Sequence, residues 1–148
     1  MNDTAMRLEQ LKQRFTEKQQ KKYKIDVFIR LCKKLEGLDP EGILAMMDET
    51  LELLTQLSEE DHELKPSQYI KSFTKLQKEV RRQLGFTEEG QIRGEYVGIG
   101  IALGVALGTP FVAINPAFIG IGLPIGLALG AGIGDQKEKA AAAEGKVY

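Results

Sequence analysis

The sequence predicts an all-α protein in two parts, an N-terminal three-helix bundle followed by a C-terminal apolar helical hairpin. Three observations carry this. Apolar residues before position 90 recur every three or four positions, the period of a helix with one buried face. From Tyr96 to Gly134, 39 residues pass without one Asp, Glu, Lys, Arg or His. Within that run glycine returns at every fourth position, at 100, 104 and 108 and again at 122, 126, 130 and 134. The expected boundaries are a soluble bundle over 1–90, a linker over 91–95, the hairpin over 96–134 and a polar tail over 135–148.

The first helix is expected from Asp3 to Leu35, with Leu8, Leu11 and Phe15 on one stripe and Ile25, Phe28, Ile29, Cys32 and Leu35 on another. Lys18, Gln19, Gln20, Lys21 and Lys22 interrupt the stripe, which leaves either a break or a projecting first half. Asp39, Pro40 and Glu41 then supply an N-cap, a first-turn proline and an acid that complements the helix dipole. The second helix so begun buries Ile43, Leu44, Met47, Leu51, Leu54 and Leu57. The third runs from Pro66 to Leu84 on Tyr69, Phe73, Leu76, Val80 and Leu84, and Gly85 closes it. Charge is segregated along the chain, with ten basic and four acidic residues over 1–35, ten acidic and no basic over 36–63, and seven basic and four acidic over 64–95. An acidic helix between two basic ones favours their association. A second use of the basic residues Lys12, Arg14, Lys18, Lys21, Lys22 and Lys24 is contact with anionic lipid or another acidic surface.

The charge-free run exceeds the roughly 20 residues of one membrane span and approaches two spans joined by a tight turn. Asn115 and Pro116 mark that turn, Asn as a helix cap and Pro at a first helical position, where its missing N–H costs nothing. Tyr96 to Ile114 and Ala117 to Gly134 are then spans of 19 and 18 residues. Pro110 and Pro124 either kink these helices or, for Pro110, end the first one early. Glycines four apart share one helix face, so each half presents a strip without side chains. In an antiparallel hairpin centred on Asn115, Gly108 falls level with Gly122, Gly104 with Gly126 and Gly100 with Gly130. The packing residues expected are therefore Gly100, Gly104, Gly108, Gly122, Gly126, Gly130 and Gly134.

Residues 98 to 134 resemble the glycine-zipper segments of bacterial membrane proteins. The resemblance covers about a quarter of the chain and names no substrate or reaction. It implies close helix packing and homo-oligomers within a membrane. The flanking Arg81, Arg82, Arg93, Lys137 and Lys139, set against an uncharged turn, place both termini in the cytoplasm by the positive-inside rule.

Catalysis finds no support in the residue pattern. The single His62 stands in a charge run, the single Cys32 sits on an apolar stripe, and neither a phosphate-binding loop nor a set of metal ligands is spelled out. No cofactor, metal or nucleic acid is expected, since 20 basic residues nearly balance 21 acidic ones. The N-terminus lacks the apolar stretch of a cleavable secretory signal. The function expected is that of a non-enzymatic, membrane-anchored interaction protein located at the cytoplasmic membrane. Its hairpin inserts into the lipid bilayer and self-associates, and its helical domain is displayed in the cytoplasm to a protein partner. A membrane-perturbing, pore-forming or holin-like protein is the alternative.

Overall fold

The computed structural model describes residues 2–38, 40–59, 64–111 and 117–148, and over these the protein is all-helical. Seven α-helices follow one another among the described residues: α1 (Asn2–Lys12), α2 (Glu17–Lys22), α3 (Ile25–Lys34), α4 (Ile43–Leu57), α5 (Pro66–Leu84), α6 (Gln91–Gly108) and α7 (Ala117–Ala143). The chain divides into two compact units, Met1–Phe86 together with Tyr148, and Thr87–Val147.

Among its described residues the first unit contains five helices rather than three, because the span expected as one helix from Asp3 to Leu35 is broken twice. The first break is chemically specified. Thr16 caps α2 with a reciprocal pair of bonds: its backbone N–H donates to Gln19 Oε1 at 2.9 Å, and its side-chain oxygen accepts from the Gln19 N–H at 3.4 Å. The Gln20 amide donates to the carbonyls of Lys12 and Phe15 at 3.0 and 2.8 Å, satisfying acceptors left open where α1 ends. The second break is at Lys24, which takes the left-handed conformation at φ 52° and turns the chain into α3. The second expected helix also begins later. Gly42, at φ 75°, occupies the N-cap of α4, so Pro40 and Glu41 precede the helix instead of opening it, and Asp39 lies outside the described residues. The ends of α5, with Pro66 in its first turn and Gly85 at φ 70° as its cap, coincide with the sequence punctuation.

Large apolar side chains fill the middle of this unit. Leu8, Ile25, Phe28, Leu31, Leu35, Ile43, Leu54, Tyr69, Leu76 and Val80 are all completely shielded from solvent. A chain of aromatic contacts joins the helices, from Phe15 to Tyr23 at 5.7 Å, Tyr23 to Tyr69 at 5.8 Å and Phe28 to Phe73 at 5.1 Å between ring centres. The Tyr69 hydroxyl donates to the Tyr23 carbonyl at 2.8 Å, which satisfies a buried acceptor beside the Lys24 turn. Ion pairs from Lys12 to Asp26 at 2.5 Å and Lys33 to Glu9 at 3.3 Å tie α1 to α3.

The second unit consists of α6 and α7 packed antiparallel. Residues 91–95, expected as a linker, are the first turn of α6, and 135–143 of the expected polar tail continue α7. Glu138 explains both extensions: its two carboxylate oxygens accept from the backbone N–H of Gly90 at 2.6 Å and of Arg93 at 3.0 Å, capping α6 from the partner helix. Arg93 returns to α7 through Asp135 at 2.9 Å. The Thr87 N–H donates to the Lys146 carbonyl at 2.9 Å, beside an isolated bridge between Thr87 and Val147.

The expectation of membrane-spanning helices, and with it a cytoplasmic-membrane location with both termini cytoplasmic, is not met. Among the described residues no helix is long and apolar enough to cross a membrane. The charge-free run is divided unfavourably for that purpose. α6 begins with Gln91, Arg93 and Glu95 and ends at Gly108, where Thr109–Phe111 tightens into a turn of 3-10 helix containing Pro110. Its uncharged part, from Tyr96 to Gly108, is therefore about 20 Å long at about 1.5 Å per residue, against a hydrocarbon core of about 30 Å. The turn expected at Asn115 and Pro116 lies outside the described residues.

Candidate functional site: a glycine seam with apolar walls

The four-residue glycine spacing puts one backbone-only strip on each of α6 and α7, and the two strips face each other. A Cβ added at Gly100 would lie 2.8 Å from the Gly130 Cα and closer still to the Gly126 carbonyl oxygen. One at Gly126 would lie 2.9 Å from the Gly104 Cα and meet the Gly100 carbonyl. Gly104 and Gly122 address each other's carbonyls in the same reciprocal way, Gly130 addresses that of Tyr96, and a Cβ at Gly134 would reach 2.9 Å from the Arg93 Cα. Gly108 is buried on the same face of α6, its amide nitrogen 3.4 Å from the Cβ position of Gly122. Where a side chain would stand, Gly100, Gly104, Gly122, Gly126, Gly130 and Gly134 each direct a Cα–H toward a carbonyl of the other helix. Repeated along the seam, such weak contacts add dispersion and polarity to an interface without side chains. The structure thus brings all seven sequence-identified glycines to the α6–α7 contact.

Four other glycines of the unit behave differently. Gly94, Gly98, Gly120 and Gly132 lie two residues out of phase with the seam, and an added Cβ would meet nothing within 4 Å. Exposed Ala102, Ala106, Pro124 and Ala128 continue the same outer strips. Pro124, inside α7, is exposed on this outer side.

With glycine in the contact, the large side chains are displaced to its flanks. The residues preceding the seam glycines line a groove of about 360 Å³: Ile99, Leu103 and Leu107 on α6, and Ile121, Ile125, Leu129 and Ile133 on α7. Tyr96 closes its charged end. The residues following the glycines, Ile101, Val105, Leu123 and Leu127, stand outside the groove lining on the opposite flank. In all, eleven Ile, Leu and Val side chains of α6 and α7 are at least a third exposed, up to 68% for Leu107. The seven on the groove flank together present on the order of 600 Å², at the upper end of the roughly 300–600 Å² of the largest apolar patch on a typical monomer. The sequence reading identified the seam but not the groove beside it, although the same four-residue period marks its walls one position earlier. Glu138 was missed for another reason: its partners lie more than forty positions away, and no local pattern announces them.

Cys32, Tyr69 and Glu79 are among the described side chains whose protonation departs from the ordinary range. Burial, aided by the nearby Asp48 charge, pushes the Cys32 thiol up to about 12, which removes its nucleophilic thiolate at neutral pH. Burial also raises the Tyr69 hydroxyl above its ordinary range. Glu79, half-buried, is held down to about 2 by hydrogen bonds from Arg82 and Gln83 within one helical turn. Of the basic residues considered for an anionic surface, Lys12 is engaged by Asp26 and Lys22 stands 5.5 Å above the Tyr23 ring. No three His, Cys, Asp or Glu side chains converge as a metal site among the described residues, and His62 lies outside them. Comparison with known proteins returns no matching family model, no matching curated protein and no matching solved structure.

Proposed function

We propose that the chain is a non-enzymatic interaction protein in which a glycine-zipper hairpin, α6 with α7, self-associates and carries the N-terminal helical bundle as its displayed part. The supporting observation is the outward apolar surface of α6 and α7, eleven branched aliphatic side chains facing solvent beside a contact made of glycine. Exposure on this scale is costly in water and is relieved by covering it. The bundle side of the reading draws on α5, which sets Lys71, Lys75 and Lys78 around the exposed Ile70, a basic row with an apolar spot suited to an acidic protein partner.

Sedimentation velocity of the full chain over a wide concentration range tests self-association. Species of two or more chains, reversible on dilution, are the expected result. A single-chain species throughout would contradict the proposal.

A further inference from the structure

The self-association proposed above leaves open which face of the helix pair is used, and the geometry points to one. We propose that a second copy of this chain docks on the groove face, the face carrying the residues that precede the seam glycines, in a two-fold isologous dimer. The inference rests on the self-association reading and adds the partner and the surface.

The glycine strips themselves are already consumed. A Cβ at Gly100, Gly104, Gly122, Gly126 or Gly130 would strike the other helix of the same chain, so no second molecule can approach the seam backbone from between the helices. What a second molecule meets is one of three remaining surfaces. The outer strips hold only Gly, Ala and Pro and offer little area. The flank of residues that follow the glycines carries Ile101, Val105, Leu123 and Leu127, none more than 41% exposed. The groove flank carries the most exposed aliphatic side chains of the unit, Leu107 at 68%, Leu129 at 61%, Leu103 and Ile121 at 57%, and a channel of about 360 Å³ between its two walls.

Two features make a second copy the fitting occupant. The groove face is built with the same offset from glycine on two antiparallel helices, so it reads alike from either end: each wall is a row of Ile and Leu at four-residue spacing, with a glycine floor between the rows. A surface bearing both ridges and the channel that receives them is self-complementary, the condition for an isologous contact. Its area also suits a dimer. The seven wall residues supply roughly 600 Å² of aliphatic surface, with Tyr96 and the channel floor adding to it, which approaches the roughly 800 Å² per partner of a standard stable interface. No charged residue lines the groove, so closure buries no ion; Arg93, Asp135 and Glu138, at the end that Tyr96 closes, are engaged with each other or with backbone.

The full chain and two charged variants, Leu103→Lys on the groove wall and Leu127→Lys on the opposite flank, separate the possibilities when measured by light scattering after gel filtration. Both positions are exposed, so helix content by circular dichroism should match the parent in each. The inference expects a two-chain mass for the parent and for Leu127→Lys, and a one-chain mass for Leu103→Lys. In a Cys32→Ser background, Leu103→Cys should oxidise to a covalent dimer at least tenfold faster than Leu127→Cys. Dimers that survive Leu103→Lys and are lost in Leu127→Lys would overturn the choice of face while leaving self-association standing. A parent of more than two chains would overturn the isologous dimer. A single-chain parent would contradict self-association itself, and a single-chain parent that takes up an aliphatic detergent would assign the groove to a different apolar occupant.

Discussion

The two units of this protein bury opposite parts of the polypeptide. In the first, backbone is kept apart by large side chains, and Phe28, Tyr69 and Leu54 belong to one core with no solvent exposure. In the second, backbone meets backbone along a glycine seam, while aliphatic side chains of the same kind are turned outward. Hydrophobic burial at roughly 25 cal/mol per Å² accounts for the first arrangement and says little about the second. The second depends on how closely two helices can approach, a quantity that one methyl group changes. Apolar composition alone therefore does not predict where apolar side chains go; the spacing of the residues without side chains decides it.

Truncation should distinguish the units most sharply. Phe28→Ala removes a side chain with no exposure and should destabilise the first unit by about 3–5 kcal/mol in chemical denaturation, whereas Val105→Ala, on the flank of α6 outside the groove and 38% exposed, should cost under about 1 kcal/mol. Comparable losses at the two sites would mean that the outward side chains of α6 are packed after all. Tyr69→Phe should cost about 1–2 kcal/mol, because it leaves the Tyr23 carbonyl without its buried donor while keeping the ring contacts. An unchanged midpoint would remove that bond from the account of the Lys24 turn.

A smaller and pH-dependent effect belongs to Cys32. Burial favours its neutral thiol in the folded state, raising it from 9.0 to about 12, so its contribution is complete below pH 9 and declines as pH rises through 12. Denaturant midpoints of the parent should therefore fall more steeply over that window than those of Cys32→Ala. At pH 8 a thiol reagent should label the folded chain at least roughly a hundredfold more slowly than the denatured chain. Equal labelling rates would place Cys32 on an open surface.

Much of the first unit was legible in sequence because its signals are local. Period and punctuation located α5 to its ends, and the apolar stripes named most of the core. The breaks at Thr16 and Lys24 were harder to read: a capping pair four residues long and a left-handed lysine are weak signals inside a continuous apolar period. In the second unit the spacing located the seam but not the helix ends. Those depend on Glu138 reaching across to the start of α6 and on the 3-10 turn at Pro110, one a long-range bond and the other a choice between kink and stop that proline alone does not make. Reading the charge-free run as two membrane spans failed on the same point, since α6 spends its first turn on polar residues and stops at Gly108.

The central claim is that α6 and α7 are held by backbone proximity at phased glycines, and it predicts opposite signs for one chemical change. Gly98→Ala adds a methyl group with nothing within 4 Å and should stabilise the helix by up to about 1 kcal/mol through propensity. Gly126→Ala has the same gain in propensity but places its methyl against the Gly100 carbonyl and 2.9 Å from the Gly104 Cα, so the helices must part. Thermal unfolding of the full chain and these two variants, followed by circular dichroism, measures the difference directly. A raised midpoint for Gly98→Ala with a lowered one for Gly126→Ala is the result the account predicts, and equal shifts in the same direction would contradict it.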